Sequence, residues 1–450
     1  MTEKKFVIFA AIVAALGGFL FGFDTAVISG TTQWLQDIFS LSTFWLGFTV
    51  ASALIGTILG SVLVGRPADI FGRRTILFVL AIFYFISAVG SALAWDWYSF
   101  LIFRFLGGLA VGGASVVSPM YIAEISPAKY RGRLVAVTQF NIVLGILTAF
   151  FSNYVIAGFN LGPVEWRWMF GIEAIPAAVF FLLLFFNPRS PRWLVAKGLM
   201  DEARTVLGKC GTDTGSIDEE IQEIQKSLDL EHHSLKESFL TRRYIRPILL
   251  AVAIAVFNQL SGINALMYYA PHIFKMAGAA AESALLQTVA VGGTNLILTM
   301  AALLVIDHFG RRNLMLVGSI GYIISLGITA WAFYTYGTDF NHTGSMVVLI
   351  GLLVFIASHA FGQGAVIWVF ISEVFPNRVR ARGQALGSFT HWFMAAVISW
   401  TFPMIAEISG GHTFAFYALC MVGQLFWVIF LMPETKGISL EQIQKKMGIE

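Results

Sequence analysis

Two ionisable residues, Asp24 and Arg104, stand inside long apolar stretches, in Gly22-Phe23-Asp24-Thr25 and Phe103-Arg104-Phe105-Leu106-Gly107-Gly108. In hydrocarbon each costs about 2.5–3.5 kcal/mol at a helix centre, so such residues face a cavity or one another. A carboxylate beside an arginine stays ionised until its partner moves away or the site dries, and then takes a proton. This is the chemistry of a proton relay. A purely structural ion pair is the other reading. Nothing else in the apolar segments offers coupling to an ion gradient, and no Asp or Glu cluster suggests a sodium, metal or cofactor site.

A second group is neutral. Phe257-Asn258-Gln259-Leu260-Ser261-Gly262-Ile263-Asn264 puts three amides, a serine and a glycine into eight apolar-flanked residues. Ser261 and Gly262 favour a break in a helix, and irregular backbone at membrane depth is tolerated where it lines a cavity. Tyr268 and Tyr269 follow. Gln139 and Asn295 add amides, Trp368 and Trp392 add indoles, and His391 adds an imidazole. Amides donate to and accept from hydroxyls, while an aromatic face covers the apolar C–H side of a sugar ring. A polyhydroxylated ligand suits this set better than a charged one. Any single amide also reads as interhelical glue.

The elements that carry these residues are helices crossing a membrane. Hydrophobic residues make up 57% of the 450 and charged residues only 12%, against about 25% charged in a soluble domain. Twelve segments approach the roughly 20 apolar residues of a spanning helix: 7–29, 44–64, 75–95, 98–122, 134–157 and 168–187, then 247–271, 285–306, 314–336, 346–372, 385–407 and 413–432. Lys4 and Lys5 precede the first, but the run is too long for a signal peptide and no small-residue cleavage site closes it. It reads as a retained helix. The expected organisation is all-α, with a six-helix half over 1–187, a polar linker of short amphipathic helices over 188–246, a second six-helix half over 247–432, and a tail over 433–450.

Most of the 29 Lys and Arg residues fall in alternate loops: Arg66, Arg73 and Arg74; Lys129, Arg131 and Arg133; Arg311 and Arg312; Arg378, Arg380 and Arg382. The positive-inside rule then puts both termini and the linker in the cytoplasm. A net charge of +3 is too small to suggest nucleic acid. Cys210 and Cys420 imply no disulfide framework.

The halves repeat one another. Asp69-Ile70-Phe71-Gly72-Arg73-Arg74 recurs as Asp307-His308-Phe309-Gly310-Arg311-Arg312, after the second span of each half. Glu124, with Arg131 and Arg133 after it, recurs as Glu373 with Arg380 and Arg382, after the fourth. Charge-assisted bonds among Asp69, Arg73, Arg74, Glu124 and Arg131, and among Asp307, Arg311, Arg312, Glu373 and Arg380, suit a latch that forms and breaks as the halves rock. Glu173 of the sixth span is grouped with these latch residues. Parallel six-plus-six repeats are a transporter plan with the site at midplane.

At these motifs the chain resembles the sugar porter family of the major facilitator superfamily. The carrying stretches are Gly65-Arg66-Pro67-Ala68-Asp69 through Arg74, Arg104 through Gly112, Pro188-Arg189-Ser190-Pro191-Arg192-Trp193, Gln259 through Asn264, and Pro433-Glu434-Thr435-Lys436-Gly437. The resemblance implies the major facilitator fold, a multi-pass protein of the bacterial inner membrane, and a monomer. It implies sugar contacts at Gln139, Gln259, Asn264, Asn295, Trp368 and Trp392, with Phe21 and Tyr268 as aromatic neighbours. It also implies proton symport, because Asp24 matches a position acidic in symporters and typically Asn in uniporters. Four positions depart from the family pattern: Asn258 for Gln, His391 for Gln or Asn, Ala365 for Pro, and Arg189 for Glu. Glucose, fructose and xylose all stay open as cargo. An uncoupled facilitator and a sugar-sensing receptor are the competing readings. An enzyme is disfavoured, since no nucleophile–base pair or metal set is present.

Overall fold

The computed structural model describes residues 3–211, 216–234, 238–376, 378–437 and 442. Among them, twelve helical segments are long and apolar enough to cross a membrane, from Glu3–Gly30 to Gly410–Phe430. The chain is a multi-pass membrane protein of all-α class. Each of the twelve segments overlaps one expected from the sequence.

Among the described residues three spans are interrupted. The seventh, Arg242–Met276, breaks between helices Ile245–Leu260 and Ile263–Met276 at Gly262, whose φ of +85° is left-handed. Glycine adopts that conformation without steric cost. A side chain there would also run into the Tyr417 ring, 2.7 Å from the position of a Cβ. The tenth breaks at Gly362 (φ −94°, ψ −99°), between His342–Phe361 and Gln363–Val374. The sixth breaks between Glu165–Gly171 and Ala174–Leu183, where Pro176 lacks the N–H that would continue the ladder.

The chain forms two compact units. One holds Met1–Thr25, Ile55–Ala149 and Arg167–Glu237; the other holds Ala26–Leu54, Phe150–Trp166 and Ser238–Glu450. These units do not coincide with the halves of the sequence repeat. In the second unit the Trp400 indole packs against Phe44 and Phe48, with centroids 5.4 and 5.1 Å away. Thr43 Oγ1 donates to Glu407 Oε2 at 2.9 Å. These contacts, aromatic packing and a hydrogen bond to a charged acceptor, place the first-half segment Ala26–Leu54 with the second-half helices.

In the first unit the linker forms helices Pro191–Ala196, Met200–Cys210 and Ile217–Ser234. Their apolar faces are docked: Leu194, Val195, Val206, Leu207 and Ile221 join one core with Ala10, Ala14, Ala114 and Phe180. Cys210 is buried in that core, and burial pushes its thiol up to about 12. The thiolate is the reactive species, so the folded Cys210 thiol stays protonated through neutral pH. In a Cys420→Ser background, alkylation of the folded protein at pH 7.5 is expected to be at least tenfold slower than after denaturation, and to accelerate only toward pH 12. Equal rates folded and unfolded would contradict the docked linker.

Candidate functional site

Asp24 lies one turn before the end of helix Glu3–Val27, and Arg104 lies inside helix Trp97–Ile125. The two meet in the first unit. Arg104 Nη1 donates to Asp24 Oδ1 at 2.6 Å and Nη2 to the Asp24 carbonyl at 3.1 Å. Both residues are 1% exposed. The guanidinium also lies over the Phe170 ring, 5.3 Å from its centroid. A pair this dry holds its charges only through one another.

A third ionisable group shares the site. Glu173, also 1% exposed, lies within reach of both Asp24 and Arg104. Its grouping with the latch residues is therefore corrected. The apolar flanks of the interrupted sixth span bury it beside the ion pair. The signal in the sequence was the one used for Asp24, a lone carboxylate within an apolar span.

The latch residues build one arrangement twice, once in each unit. Arg73 Nε donates to Glu124 Oε1 at 3.0 Å, and Arg73 Nη1 sits 2.9 Å from Asp69 Oδ1. Ser190 Oγ donates to the other Glu124 oxygen at 2.5 Å. In the second unit Arg311 Nε and Nη2 donate to Glu373 Oε2 and Oε1 at 3.1 and 2.9 Å, and Thr435 Oγ1 donates to Glu373 Oε2 at 2.6 Å. Arg74 donates to the Leu184 and Phe185 carbonyls, as Arg312 does to those of Val428 and Ile429. Gly72 and Gly310, at φ +89° and +86°, turn the chain into these arginine-headed helices. Arg131 donates to the Ser126 carbonyl at 3.3 Å and shares a cavity of about 310 Å³ with Glu124 and Arg192. Arg380 opens the helix Arg380–Ile408 and feels the charge of Glu373. The side chain of Asp307 lies outside the described residues.

The copies also differ at the position of Glu434 and Arg189. Glu434 accepts from the backbone N–H groups of Arg311 and Arg312, both at 3.0 Å, placing a carboxylate at a helix N-terminus where the dipole favours it. The matching Arg189 instead pairs with Glu202 at 3.3 Å, and Trp193 Nε1 donates to the Asp69 carbonyl at 3.1 Å.

In the second unit the broken seventh span gathers the neutral polar residues. Asn264 Nδ2 donates to Gln259 Oε1 at 2.8 Å, and Gln259 Nε2 donates to Asn258 Oδ1 at 2.9 Å. The ring nitrogens of His391 lie 3.3 and 3.4 Å from Gln259 Nε2. His391 sits between two indoles, with centroids 5.0 Å from Trp368 and 4.8 Å from Trp392. Trp392 is buried, whereas Trp368 is 39% exposed. Tyr268 is buried in the continuation of the same span, and Asn295 bonds Thr299 within its own helix. Gln139 and Phe21, in the first unit, are half-buried.

Behind this cluster lies a polar layer that the sequence reading missed. Gln363 bonds Gln424, which donates to Ser319 Oγ at 2.8 Å. Tyr322 OH meets His359 Nδ1 at 2.5 Å. The layer flanks the break at Gly362, and the polar run Ser358-His359 to Gln363 in an apolar span was its available signal.

The profile of the family described as sugar (and other) transporters matches residues 10–447. The D-xylose-proton symporter of Escherichia coli (strain K12) is 38% identical over 479 residues, covering 98% of this chain and 96% of that protein. The glucose transport protein of Synechocystis sp. (strain ATCC 27184 / PCC 6803 / Kazusa) is 37% identical, covering 98% and 97%. The solved partially occluded inward open conformation of the xylose transporter XylE from E. coli superposes with a TM-score of 0.85 at 37% identity, covering 97% of this chain and all of that one. The chain thus belongs to the sugar porter family of the major facilitator superfamily.

Proposed function

We propose that the protein carries a monosaccharide together with a proton across the bacterial inner membrane, by alternating access, as a monomer with both termini and the linker in the cytoplasm. The observation that carries this reading is the dry Asp24–Arg104 pair with Glu173 beside it. Two carboxylates against one guanidinium leave a negative charge uncompensated in apolar surroundings, and one proton neutralises it. Asp24 and Glu173 are the proton-carrying groups, and Arg104 is the counter-charge whose contact changes with the state of the carrier.

The amide and aromatic cluster of the seventh, tenth and eleventh spans is the sugar-binding surface. Gln259, Asn264 and Asn258 exchange their mutual hydrogen bonds for sugar hydroxyls, so the empty site leaves no donor stranded. Trp368 covers the apolar face of the ring. Gln139, Asn295, Phe21, Tyr268 and Trp392 complete the set by their match to the family's contact positions. The relatives act on xylose and glucose by their names, and His391, beside Gln259, selects among such sugars. Counterflow of labelled xylose, glucose and fructose is expected to rank the sugars differently in wild type and His391→Gln. An unchanged ranking contradicts the assignment of His391. Sugar uptake driven by an imposed pH gradient is expected to collapse with a protonophore; uptake indifferent to the protonophore would mean a facilitator.

The Arg73–Glu124 and Arg311–Glu373 arrangements are the latches of the six-helix halves 1–187 and 247–432 as these rock. Glu373→Gln removes the charge that Arg311 meets through two hydrogen bonds, each such bond to a charged group being worth about 1.5–3 kcal/mol. A roughly tenfold shift between inward and outward forms is expected, read by accessibility of cysteines placed on either face. Unchanged accessibility with an unchanged transport rate contradicts the latch.

A further inference from the structure

Beside the docked linker the first unit carries a basic cavity of about 850 Å³ that neither the sugar nor the proton uses. Lys4, Lys129 and Arg133 line it, and all three are exposed. Among the described contacts the Lys4 and Lys129 ammonium groups share one partner, the Tyr130 ring, whose centroid lies 5.5 and 5.6 Å away. One carboxylate, Glu3, borders the same space, so cations outnumber anions three to one. Like charges gathered round one ring repel each other, and an anion seated among them relieves that repulsion.

The cavity is not polar throughout. Val7, Ile8 and Leu134 form one side of it, and Leu207 with Gly211 of the linker forms another. Val7 and Leu134 are buried, while Ile8 is 37% exposed on the apolar face of the first span. Cationic groups therefore stand where a membrane-spanning surface begins, with apolar surface leading away from them. A free phosphate uses only the cations; a phospholipid uses both, phosphate among the cations and acyl chain along Ile8. Basic pockets at the ends of transmembrane helices take anionic headgroups in this way.

We propose that this cavity binds the phosphodiester headgroup of an anionic phospholipid, which ties the first span, the start of the fifth and the linker helix Met200–Cys210 together. The proposal rests on the membrane reading of the twelve spans and not on the sugar or the proton.

The test is native mass spectrometry of the purified full-length protein incubated with phosphatidylglycerol or phosphatidylcholine. Wild type is expected to retain phosphatidylglycerol selectively. The Lys4→Ala, Lys129→Ala, Arg133→Ala triple variant is expected to bind it about fivefold more weakly per cation removed. A control triple variant at exposed cations elsewhere, Lys197→Ala, Lys226→Ala and Arg378→Ala, is expected to match wild type. Equal loss in both variants, or no loss in the first, overturns the site. Inorganic phosphate that displaces the lipid at equal concentration makes this a free-anion site and overturns the lipid. If the first variant cannot be purified, wild type decides alone: equal retention of the two lipids overturns the proposal.

Discussion

Asp24→Asn is expected to abolish uphill sugar accumulation while leaving counterflow of labelled sugar intact. Asparagine keeps an oxygen facing Arg104 Nη1, and the backbone carbonyl of residue 24 still accepts from Nη2. What it loses is the ability to change charge. One proton moving down 100 mV supplies about 2.3 kcal/mol, which sustains on the order of fiftyfold accumulation. The variant should fall to equal concentrations inside and out. Asp24→Asn leaves Arg104 with Glu173 as its remaining acidic neighbour, so the fold is expected to survive with at most a modest fall in melting temperature. Counterflow measured on the same monodisperse sample separates lost coupling from lost fold. Undiminished accumulation in Asp24→Asn would remove Asp24 from the proton path.

Gln259→Ala is expected to act on the sugar and spare the proton site. Gln259 links Asn264, Asn258 and His391, so its loss removes one sugar contact and strands the partners of another. Each buried polar group left unmade costs about 1–3 kcal/mol. The expected result is a rise in KM of roughly tenfold to a hundredfold, with accumulation at saturating sugar preserved. A loss of accumulation with KM unchanged would contradict the division of labour between the two units.

Residues whose cost is local were legible in the sequence. Asp24 and Arg104 announced themselves because charge in hydrocarbon is expensive, and Gly262 did so because amides, serine and glycine crowd round it. Glu173 carries the same signal. Its place beside Asp24 and Arg104 is set by the packing of the interrupted sixth span, which no local pattern encodes. The latch motifs were legible as a repeat, but their exchange of partners was not. Arg73 finds Glu124 from a distant helix, and the third members, Ser190 and Thr435, arrive from segments after the sixth and twelfth spans. The break at Gly362 was hidden because the tenth span has Ala365 where a proline would have marked it. The amphipathic pattern of the linker foretold its helices, but not that Leu194, Val206 and Leu207 bury against the first span.

Coupling of sugar to protons is tested most directly by adding sugar to liposomes that hold the wild-type protein in weakly buffered medium, with no gradient imposed, while external pH is recorded. Sugar entering down its own gradient should draw protons in with it, so the medium should turn alkaline at once, and Asp24→Asn should leave it unchanged while sugar still exchanges. Wild-type sugar entry with no change in external pH would contradict proton symport.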